Sequence, residues 1–229
     1  MTGTAPTIVF DLDGTLVDTA DDLIAAINHA LADEGMRPAD SSWLRPYAGH
    51  GGRAMIERVF SLERRILKPE TTDRLVRLFL DHYADNIPGV SRPYDGAVAA
   101  LDRLTGFGAR LAICTNKPQA FADRLIGALG LAPRFAAICG ADAFPFRKPD
   151  PRHLTETILR AGGDPGHALM VGDSRTDVDT ARNAGIPVVA VSFGYSDVPV
   201  KELGPSIVID HLDDLTVDLA ERLMRAARG

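Results

Sequence analysis

The sequence is poor in cysteine, in long apolar runs and in signal-like basic segments, which characterise disulfide-rich, membrane-spanning and secreted proteins. Its 229 residues include two cysteines and one tryptophan. Its apolar runs are only a few residues long, whereas a membrane-spanning helix needs about 20. The first residues, MTGTAPTIVFDLD, contain no basic segment of the kind that opens a secretory signal. We therefore expect a cytoplasmic protein that does not act at a membrane.

Positive charge is also scarce. The 31 acidic residues outnumber the 25 Lys and Arg, and the net charge is −6. Because the basic residues form no stripe, we do not expect nucleic acid as a partner. Hydrophobic residues make up 45% and charged residues 24%, which excludes a wholly disordered chain. The length suits one domain, or one domain with a substantial insertion, and leaves both a monomer and a homodimer open.

The two cysteines indicate neither a disulfide nor a metal site. Cys114 and Cys139 each lie in an apolar segment, LAIC and FAAIC, which favours buried free thiols. The sequence contains no CxxC motif, and its six histidines are scattered. A zinc site is therefore not expected.

Short apolar segments rich in β-branched residues recur along the chain. They are nearly all apolar rather than alternating, which is typical of strands buried on both faces of a parallel sheet. Helical patterns that begin at Pro or Ser and end at Gly separate several of them, at residues 118–130, 151–162 and 174–185. This alternation predicts an α/β fold with a doubly wound, Rossmann-like parallel sheet. The predicted strands are residues 7–10, 110–115, 135–139, 168–172, 187–191 and 206–210.

About 100 residues separate the first predicted strand from the second, and we expect no strand among them. A structureless loop of that length is implausible in a compact domain. We therefore predict a small all-helical cap domain at residues 16–85, inserted into a core formed by residues 1–15 and 86–229. Hinges are expected near residues 16–18 and 88–93. The helical patterns in this stretch cover residues 19–34, 52–62, 69–87 and 94–107.

Acidic pairs follow two of the predicted strands. Asp11 and Asp13, in FDLDGT, are residues i and i+2 of an extended segment and therefore share one face. Asp173, in VGDSRTD, follows another strand, and Asp177 lies one helical turn later. Ligands bind at this edge of α/β sheets, and carboxylate oxygens suit Mg²⁺. The alternatives are an ordinary turn at Asp13 and helix capping at Asp177.

Two further segments end near the same predicted edge. Thr115 and Asn116, in CTNK, offer a hydroxyl, an amide and backbone N–H groups that can hold phosphate oxygens. Lys148, in RKPDP, precedes prolines that stiffen the backbone and direct the lysine toward this edge. Taken singly, these segments also fit an ordinary turn and a solvated lysine. Together, the four segments predict one site that processes phosphate.

The motifs DLDGT, Thr115-Asn116, Lys148-Pro149 and GDSRTD, in this order, resemble those of the haloacid dehalogenase superfamily of phosphatases. The resemblance covers essentially the whole chain and includes a helical cap after the first strand. Within the superfamily, the segments GTLVDTADDL, AGHGGRAM and SFGYSDV are similar to phosphoglycolate phosphatases. The resemblance implies Mg²⁺-dependent hydrolysis of a small phosphorylated metabolite, with 2-phosphoglycolate as the first candidate.

The resemblance also implies a role for each motif residue. Asp11 is the expected nucleophile, which forms an aspartyl-phosphate, and Asp13 is the expected acid and base. Lys148 is expected to offset negative charge between Asp11 and the phosphate. The phosphoryl oxygens are expected to be held by Thr115 and Asn116. The expected groups around Mg²⁺ are Asp11, the backbone carbonyl of Asp13, Asp173 and, in an orienting role, Asp177.

The cap is expected to supply specificity for the substrate. Gly51, Gly52 and Arg53 open a predicted helix whose N–H groups can meet an anionic substrate, and Arg53 can pair with a carboxylate. The alternative is an ordinary loop before a helix. The spacing from Gly49 to Ala54 also matches a dinucleotide-binding fingerprint, which we discard because no apolar strand precedes it.

Several other activities share these features. A pyrophosphatase, a sugar phosphatase or a sugar phosphomutase of the same superfamily would carry the same motifs. A phosphoacceptor signalling module also gathers acids, a threonine and a lysine at the end of a parallel sheet, but it needs neither Asp13 nor the insertion. Asp13 also argues against a dehalogenase, and the complete set of motifs argues against a binding protein on an inactive scaffold.

Overall fold

The computed structural model describes residues 5–227, so the outermost residues of the predicted core, 1–4 and 228–229, lie outside the described part. None of the helices in this range is long and apolar enough to cross a membrane. The strands are β1 (Thr7–Phe10), β2 (Val17–Asp18), β3 (Arg92–Pro93), β4 (Arg110–Cys114), β5 (Ala137–Cys139), β6 (Ala168–Gly172), β7 (Val188–Val191) and β8 (Ile207–Ile209). The helices are α1 (Ala20–Ala32), α2 (Ser41–Leu44), α3 (Gly52–Leu62), α4 (Pro69–Asn86), α5 (Ala97–Gly106), α6 (Gln119–Ala128), α7 (Pro151–Arg160), α8 (Arg175–Asn183) and α9 (Val217–Ala226).

Six strands form one parallel sheet in the order β5-β4-β1-β6-β7-β8. Phe10 at the end of β1 lies opposite Ile113 of β4 and Val171 of β6. The strand order reverses at β1, so the carboxyl end of β1 is the switch point at which such sheets bind ligands. The predicted α/β class and parallel sheet are confirmed. Each predicted strand is present and at most two residues shorter than expected.

Alternate residues of β1 face two hydrophobic clusters on opposite sides of the sheet. Ile8 and Phe10 pack in the cluster that includes Leu101 of α5 and Leu219 of α9. Val9 packs in the other cluster, with α7 and α8. Because both faces are covered, β1 is buried throughout, as its apolar sequence predicts.

The helices between β2 and β3 pack on one another. Helix α1 lies along α4, and α3 contacts both. The face of α1 toward this layer carries Leu23, Ile24, Ile27 and Leu31, which are all buried. The apolar residues whose spacing predicts α1 are therefore the ones that pack against the neighbouring helices. The division into a core and a cap at residues 16–85 stays a prediction.

The expectation of no strand between β1 and β4 is wrong. Strands β2 and β3 pair antiparallel, with Val17 opposite Pro93 and Asp18 opposite Arg92. A two-residue strand is too short to produce a recognisable alternation in the sequence. This small ribbon lies where the two hinges are predicted.

Helices α5 and α9 differ from the sequence-based prediction, whereas the two cysteines agree with it. Helix α5 begins at Ala97, three residues later than predicted, because Gly96 adopts a left-handed conformation with φ +78°. Helix α9 was not among the predicted elements. Cys114 and Cys139 are buried free thiols at opposed positions of β4 and β5, which confirms that prediction.

Candidate active site

The site begins at the carboxyl end of β1. The Asp11 backbone N–H donates to the Val171 carbonyl at 2.9 Å, which extends the pairing with β6 by one residue. The chain then turns at Gly14, which has φ +85°. A Cβ atom at Gly14 would lie 2.3 Å from Asp173 Oδ2, so a side chain is excluded by both conformation and space. The turn therefore brings the first motif against the motif that follows β6.

Asp173 is held in place by groups from two distant segments. The Thr15 hydroxyl donates to its Oδ1 at 3.0 Å, and the Tyr195 backbone N–H donates to its Oδ2 at 2.6 Å. Gly194 also lies against Asp173, because a Cβ there would fall 2.3 Å from Asp173 Cβ. The carboxylate is 1% exposed and is therefore fixed in a desolvated position.

Asp177 lies in the first turn of α8 and is buried. It forms a capping box with Ser174, whose hydroxyl donates to Asp177 Oδ2 at 2.6 Å. Its other carboxylate oxygen, Oδ1, accepts from Lys148 Nζ at 2.6 Å. Helix capping, the alternative considered for this residue, is therefore present, and it coexists with a direct contact to the predicted lysine.

Lys148 connects two of the carboxylates. Its Nζ lies 2.9 Å from Asp11 Oδ1 and 2.6 Å from Asp177 Oδ1, and 2% of its side chain is exposed. Burial disfavours the ammonium, but the combined attraction of Asp11 and Asp177 outweighs this and raises the pKa of Lys148. The lysine therefore stays charged at the centre of the site.

Asp11, Asp173 and Asp177 form a buried cluster in which one oxygen from each residue lies within 4.8 Å of the others. Burial, opposed by Lys148, raises the pKa of Asp11 to about 6. Burial, with repulsion from Asp177 and Asp11, raises the pKa of Asp173 well above its usual range. Three carboxylates face one ammonium, so the cluster has the charge and the oxygen ligands that a hard divalent cation requires.

The Asp13 carboxylate points to a different neighbour. Lys117 Nζ lies 2.8 Å from Asp13 Oδ1 and 3.1 Å from Oδ2, and the Thr19 hydroxyl donates to Oδ1 at 2.7 Å. Thr19 immediately precedes α1, so the Asp13 side chain contacts both the sheet edge and the start of the inserted helices. The Asp13 carboxylate is therefore ion-paired with Lys117 and does not belong to the cluster of Asp11, Asp173 and Asp177.

Thr115 and Asn116 follow β4 at the same sheet edge. The Thr115 hydroxyl accepts from the Lys117 backbone N–H at 3.1 Å. The Asn116 side-chain amide donates to the Lys148 carbonyl at 3.0 Å, which ties the loop after β4 to the segment that carries Lys148. The motifs from β1, β4 and β6 and the Lys148 segment therefore converge, as the sequence predicts.

The glycine-rich segment of the cap region is a 3-10 turn over residues 45–50 followed by α3. Gly51 has φ +83°, and a Cβ at Gly52 would lie 2.4 Å from the Phe79 ring, so Gly52 allows close packing on α4. Arg53 pairs with Asp73 at 2.7 Å, with more than half of each side chain exposed. The role predicted for these residues in substrate binding stays a prediction.

Sequence reasoning missed several side chains that contact the predicted ones. Lys117 lies in the CTNK segment and Tyr195 in SFGYSDV, but neither was singled out. Thr15 directly follows DLDG. Tyr83 of α4 packs its ring 4.5 Å from Lys117 Nζ. Only proximity to a recognised motif could have suggested the first three, and no local signal marks Tyr83.

Comparison with known proteins identifies the family of this chain. A family model described as haloacid dehalogenase-like hydrolase matches residues 8–191. A protein of Mesorhizobium japonicum named phosphoglycolate phosphatase is 61% identical over 97% of this chain and 98% of its own. A protein of Agrobacterium fabrum with the same name is 47% identical over 96% of this chain and 94% of its own.

Solved structures give the same result. A crystal structure described as that of a predicted phosphoglycolate phosphatase from Haemophilus somnus is 29% identical and superposes with a TM-score of 0.85. The match covers 94% of this chain and 98% of that chain. Fold, motif order and sequence identity therefore agree, and the chain belongs to the family of haloacid dehalogenase-like hydrolases.

Proposed function

We propose that this protein is a cytoplasmic, Mg²⁺-dependent phosphatase that hydrolyses 2-phosphoglycolate to glycolate and phosphate. One observation carries the reaction class: Asp11 ends β1 at the switch point, with the buried ammonium of Lys148 2.9 Å from its carboxylate. The substrate is supported by the relatives that bear the name phosphoglycolate phosphatase at 61% and 47% identity.

In the first half of the reaction, Asp11 is the nucleophile. One of its carboxylate oxygens attacks phosphorus and forms an aspartyl-phosphate, while the bond from phosphorus to the leaving oxygen breaks. Asp13 donates its proton to that oxygen, which leaves as an alcohol. Lys148 offsets the negative charge of Asp11 and the phosphoryl oxygens, which otherwise repel each other.

In the second half, water replaces the substrate alcohol. Asp13, now ionised, takes a proton from a water molecule whose oxygen attacks phosphorus. The bond between phosphorus and Asp11 breaks, which releases phosphate and restores the nucleophile. Thr115 and Asn116 hold the phosphoryl oxygens in both steps, through the hydroxyl, the amide and nearby backbone N–H groups.

The buried carboxylates suit a metal site. Asp11, Asp173, Asp177 and the backbone carbonyl of Asp13 are the groups that would hold Mg²⁺. When bound, the ion supplies positive charge that stabilises the phosphoryl group and reduces repulsion within the carboxylate cluster. Thr15 and the Tyr195 backbone N–H fix the orientation of Asp173 for this purpose.

We assign substrate selection to the inserted helices as a cap over the sheet edge, with hinges at the β2–β3 ribbon. The cap residues proposed to face the substrate include Gly51 and Gly52, at the start of α3, and Arg53 is the cation that sequence reasoning favours for the substrate carboxylate. Closure of such a cap excludes water and places the leaving group beside Asp13.

The test is Mg²⁺-dependent phosphate release across a panel of small esters. The panel contains 2-phosphoglycolate, sugar phosphates, nucleoside monophosphates and pyrophosphate. We expect 2-phosphoglycolate to lead in kcat/KM by tenfold or more, which corresponds to about 1.4 kcal/mol of discrimination. A lead by pyrophosphate or a sugar phosphate would contradict the substrate but keep the chemistry.

Asp11→Asn is the companion variant, and we expect it to abolish turnover of every ester. Asp85→Asn, which changes an exposed carboxylate on α4, is the matched control and should leave the rates unchanged. An active Asp11→Asn enzyme would rule out the covalent mechanism. A wild-type phospho-form that persists for minutes would favour a phosphoacceptor module instead.

A further inference from the structure

Lys117 is a buried cation to which neither the family motifs nor the proposed reaction gives a role. Its side chain is 3% exposed, although lysine is almost never this buried without a partner. The partner is Asp13, with both carboxylate oxygens within 3.1 Å of Lys117 Nζ. A buried ammonium therefore lies at the Asp13 side of the site, held there by contacts to both Asp13 carboxylate oxygens.

The side of Lys117 away from the sheet is covered by the inserted helices. The ring of Tyr83, on α4, lies with its centroid 4.5 Å from Lys117 Nζ. The Tyr83 hydroxyl is buried, and its O–H finds no acceptor within residues 5–227. A buried donor without an acceptor is costly, and a ligand oxygen placed there would remove that cost.

The position of Lys117 relative to Asp13 determines what it can bind. In the proposed reaction Asp13 protonates the ester oxygen of the substrate, so the leaving group lies beside the Asp13 carboxylate. A group attached to the ester oxygen through one carbon then falls beside Lys117 Nζ as well. Before that step Asp13 carries the proton and is uncharged, so an anionic group on the bound substrate would be the counter-ion of Lys117.

Two other cations near the site are ion-paired with residues other than Asp13. Lys148 contacts Asp11 and Asp177, on the nucleophile side of the phosphoryl group. Arg53, the cation favoured by the sequence, pairs with Asp73 in an exposed position. Among these three, Lys117 combines burial with contact to the group that protonates the leaving oxygen.

We propose that Lys117 and the Tyr83 hydroxyl form the subsite that binds the carboxylate of the leaving group and so select a phosphorylated 2-hydroxy acid. This inference rests on the proposed function, because it takes Asp13 as the acid. The lysine supplies the charge from the core, and the tyrosine supplies a hydrogen bond from the cap. Substrate recognition and closure of the inserted helices would thus occur at one contact.

The test compares two substrates that differ only in the carboxylate. 2-Phosphoglycolate and 2-hydroxyethyl phosphate have the same ester linkage, and the second carries a hydroxymethyl group instead of a carboxylate. Lys117→Gln should lower the ratio of their kcat/KM values at least tenfold, and Tyr83→Phe should lower it by a smaller factor. The ratio cancels any general loss from Asp13, which affects both substrates alike.

Two variants complete the comparison. Lys201→Gln makes the same change at an exposed lysine and should keep the wild-type ratio. Arg53→Gln tests the competing cation. An unchanged ratio in Lys117→Gln, or a tenfold loss in Arg53→Gln alone, would overturn the assignment.

Glycolate binding separates this inference from the proposed substrate. By calorimetry, glycolate should bind the wild-type protein at least tenfold more tightly than Lys117→Gln, and Lys201→Gln should match the wild type. Equal affinities for Lys117→Gln and the wild type would contradict the subsite, even if 2-phosphoglycolate remains the best substrate. If the wild-type enzyme hydrolyses both esters equally well, the assignment of 2-phosphoglycolate as the preferred substrate is contradicted. The glycolate affinities would still show whether Lys117 binds a carboxylate.

Discussion

Two buried lysines, Lys148 and Lys117, form ion pairs with carboxylates of the site, and each lies in a different half of it. Lys148 lies with Asp11 and Asp177, where the proposed reaction transfers the phosphoryl group. Lys117 lies with Asp13, where the proposed reaction releases the leaving group. Because each ammonium is buried and ion-paired, neither acts as a proton donor at neutral pH. The proposed reaction accordingly assigns proton transfer to Asp13.

His153 is a buried residue whose protonation opposes folding. Burial, with repulsion from Lys148, lowers the pKa of His153 to about 4. Its Nδ1 accepts from the Lys148 backbone N–H at 3.1 Å, which requires the neutral ring. The unfolded chain binds this proton below about pH 6.5 and the folded chain only near pH 4, so stability falls as the pH falls through this window.

His153→Asn, which keeps an acceptor for the Lys148 N–H, is therefore expected to be less stable than the wild type at pH 7. This difference in the free energy of unfolding should shrink by about 2 kcal/mol between pH 7 and pH 4.5. Urea denaturation at several pH values measures it. The exposed His50→Asn should follow the wild type at every pH, and a difference for His153→Asn that stays constant would contradict the assignment.

At the scale of secondary structure, the strands of the parallel sheet could be predicted from the sequence more accurately than the segments that connect them. The strand ALMVG at residues 168–172 has both faces buried, so its apolar character alone identifies it. The ribbon formed by Val17 and Pro93 depends on pairing between segments about 75 residues apart, which no local pattern reports. Helix α9 follows a short 3-10 turn and was missed, although its apolar face includes Leu219 and Met224.

The same distinction applies to the site residues. Asp11 and Asp173 could be predicted because each directly follows a strand, and parallel strands bring their carboxyl ends together. Tyr195 contacts Thr19, and Lys117 contacts Tyr83, between elements distant in the chain. Such contacts depend on how loops and helices pack above the sheet, and a single sequence contains no signal for that.

Tyr195 links Asp173, a proposed metal ligand, to the start of α1. Its hydroxyl accepts from the Thr19 and Ala20 backbone N–H groups at 2.6 and 2.9 Å and donates to Asp18 Oδ1 at 2.6 Å. Its own backbone N–H donates to Asp173. The side chain thus satisfies the first N–H groups of a helix that has no side-chain cap.

Tyr195→Phe removes these three hydrogen bonds and leaves the buried Thr19 N–H unpaired, whereas the Ala20 N–H keeps a 3.4 Å contact to Asp18 Oδ1. We expect a loss of about 1–3 kcal/mol in the free energy of unfolding, while the affinity for Mg²⁺ changes little because the backbone contact to Asp173 remains. Thermal unfolding and Mg²⁺ titration measure the two effects. Tyr47→Phe, at a half-buried tyrosine of the 3-10 turn, should cost less than about 0.5 kcal/mol. A large fall in Mg²⁺ affinity for Tyr195→Phe would contradict this separation.

For the whole molecule, the inserted helices and the sheet edge meet at the residues of the reaction. Thr19 before α1 binds Asp13, Tyr83 of α4 covers Lys117, and Tyr195 after β7 binds the start of α1. Movement of the inserted helices would therefore change the surroundings of the proposed acid. The carboxylate cluster contacts the sheet and its loops, so we expect metal binding to depend little on the position of the inserted helices.

The proposed metal site can be tested separately from the inserted helices by measuring the free energy of unfolding with and without Mg²⁺. Without a metal, Asp173 is a buried carboxylate whose raised pKa shows that its ionised form is disfavoured in the folded state. At pH 8, Asp173→Asn removes the free-energy cost of burying this carboxyl group, whether that cost is paid as a buried charge or as proton uptake on folding. The amide can still accept from Tyr195 N–H and donate to the Thr15 hydroxyl. We therefore expect the metal-free variant to be at least as stable as the metal-free wild type.

With Mg²⁺ the order should reverse. At a concentration 100 times Kd, Mg²⁺ should stabilise the wild type by about 2.7 kcal/mol, and Asp173→Asn should show little response. Thermal unfolding with and without Mg²⁺ measures this, and Asp85→Asn should respond as the wild type does. A full Mg²⁺ response in Asp173→Asn would exclude Asp173 as a ligand. Asp173→Asn leaves Thr19, Tyr83 and Lys117 unchanged. Its affinity for glycolate should therefore equal that of the wild type, because the proposed metal ligands surround Lys148 and the proposed leaving-group subsite contains Lys117.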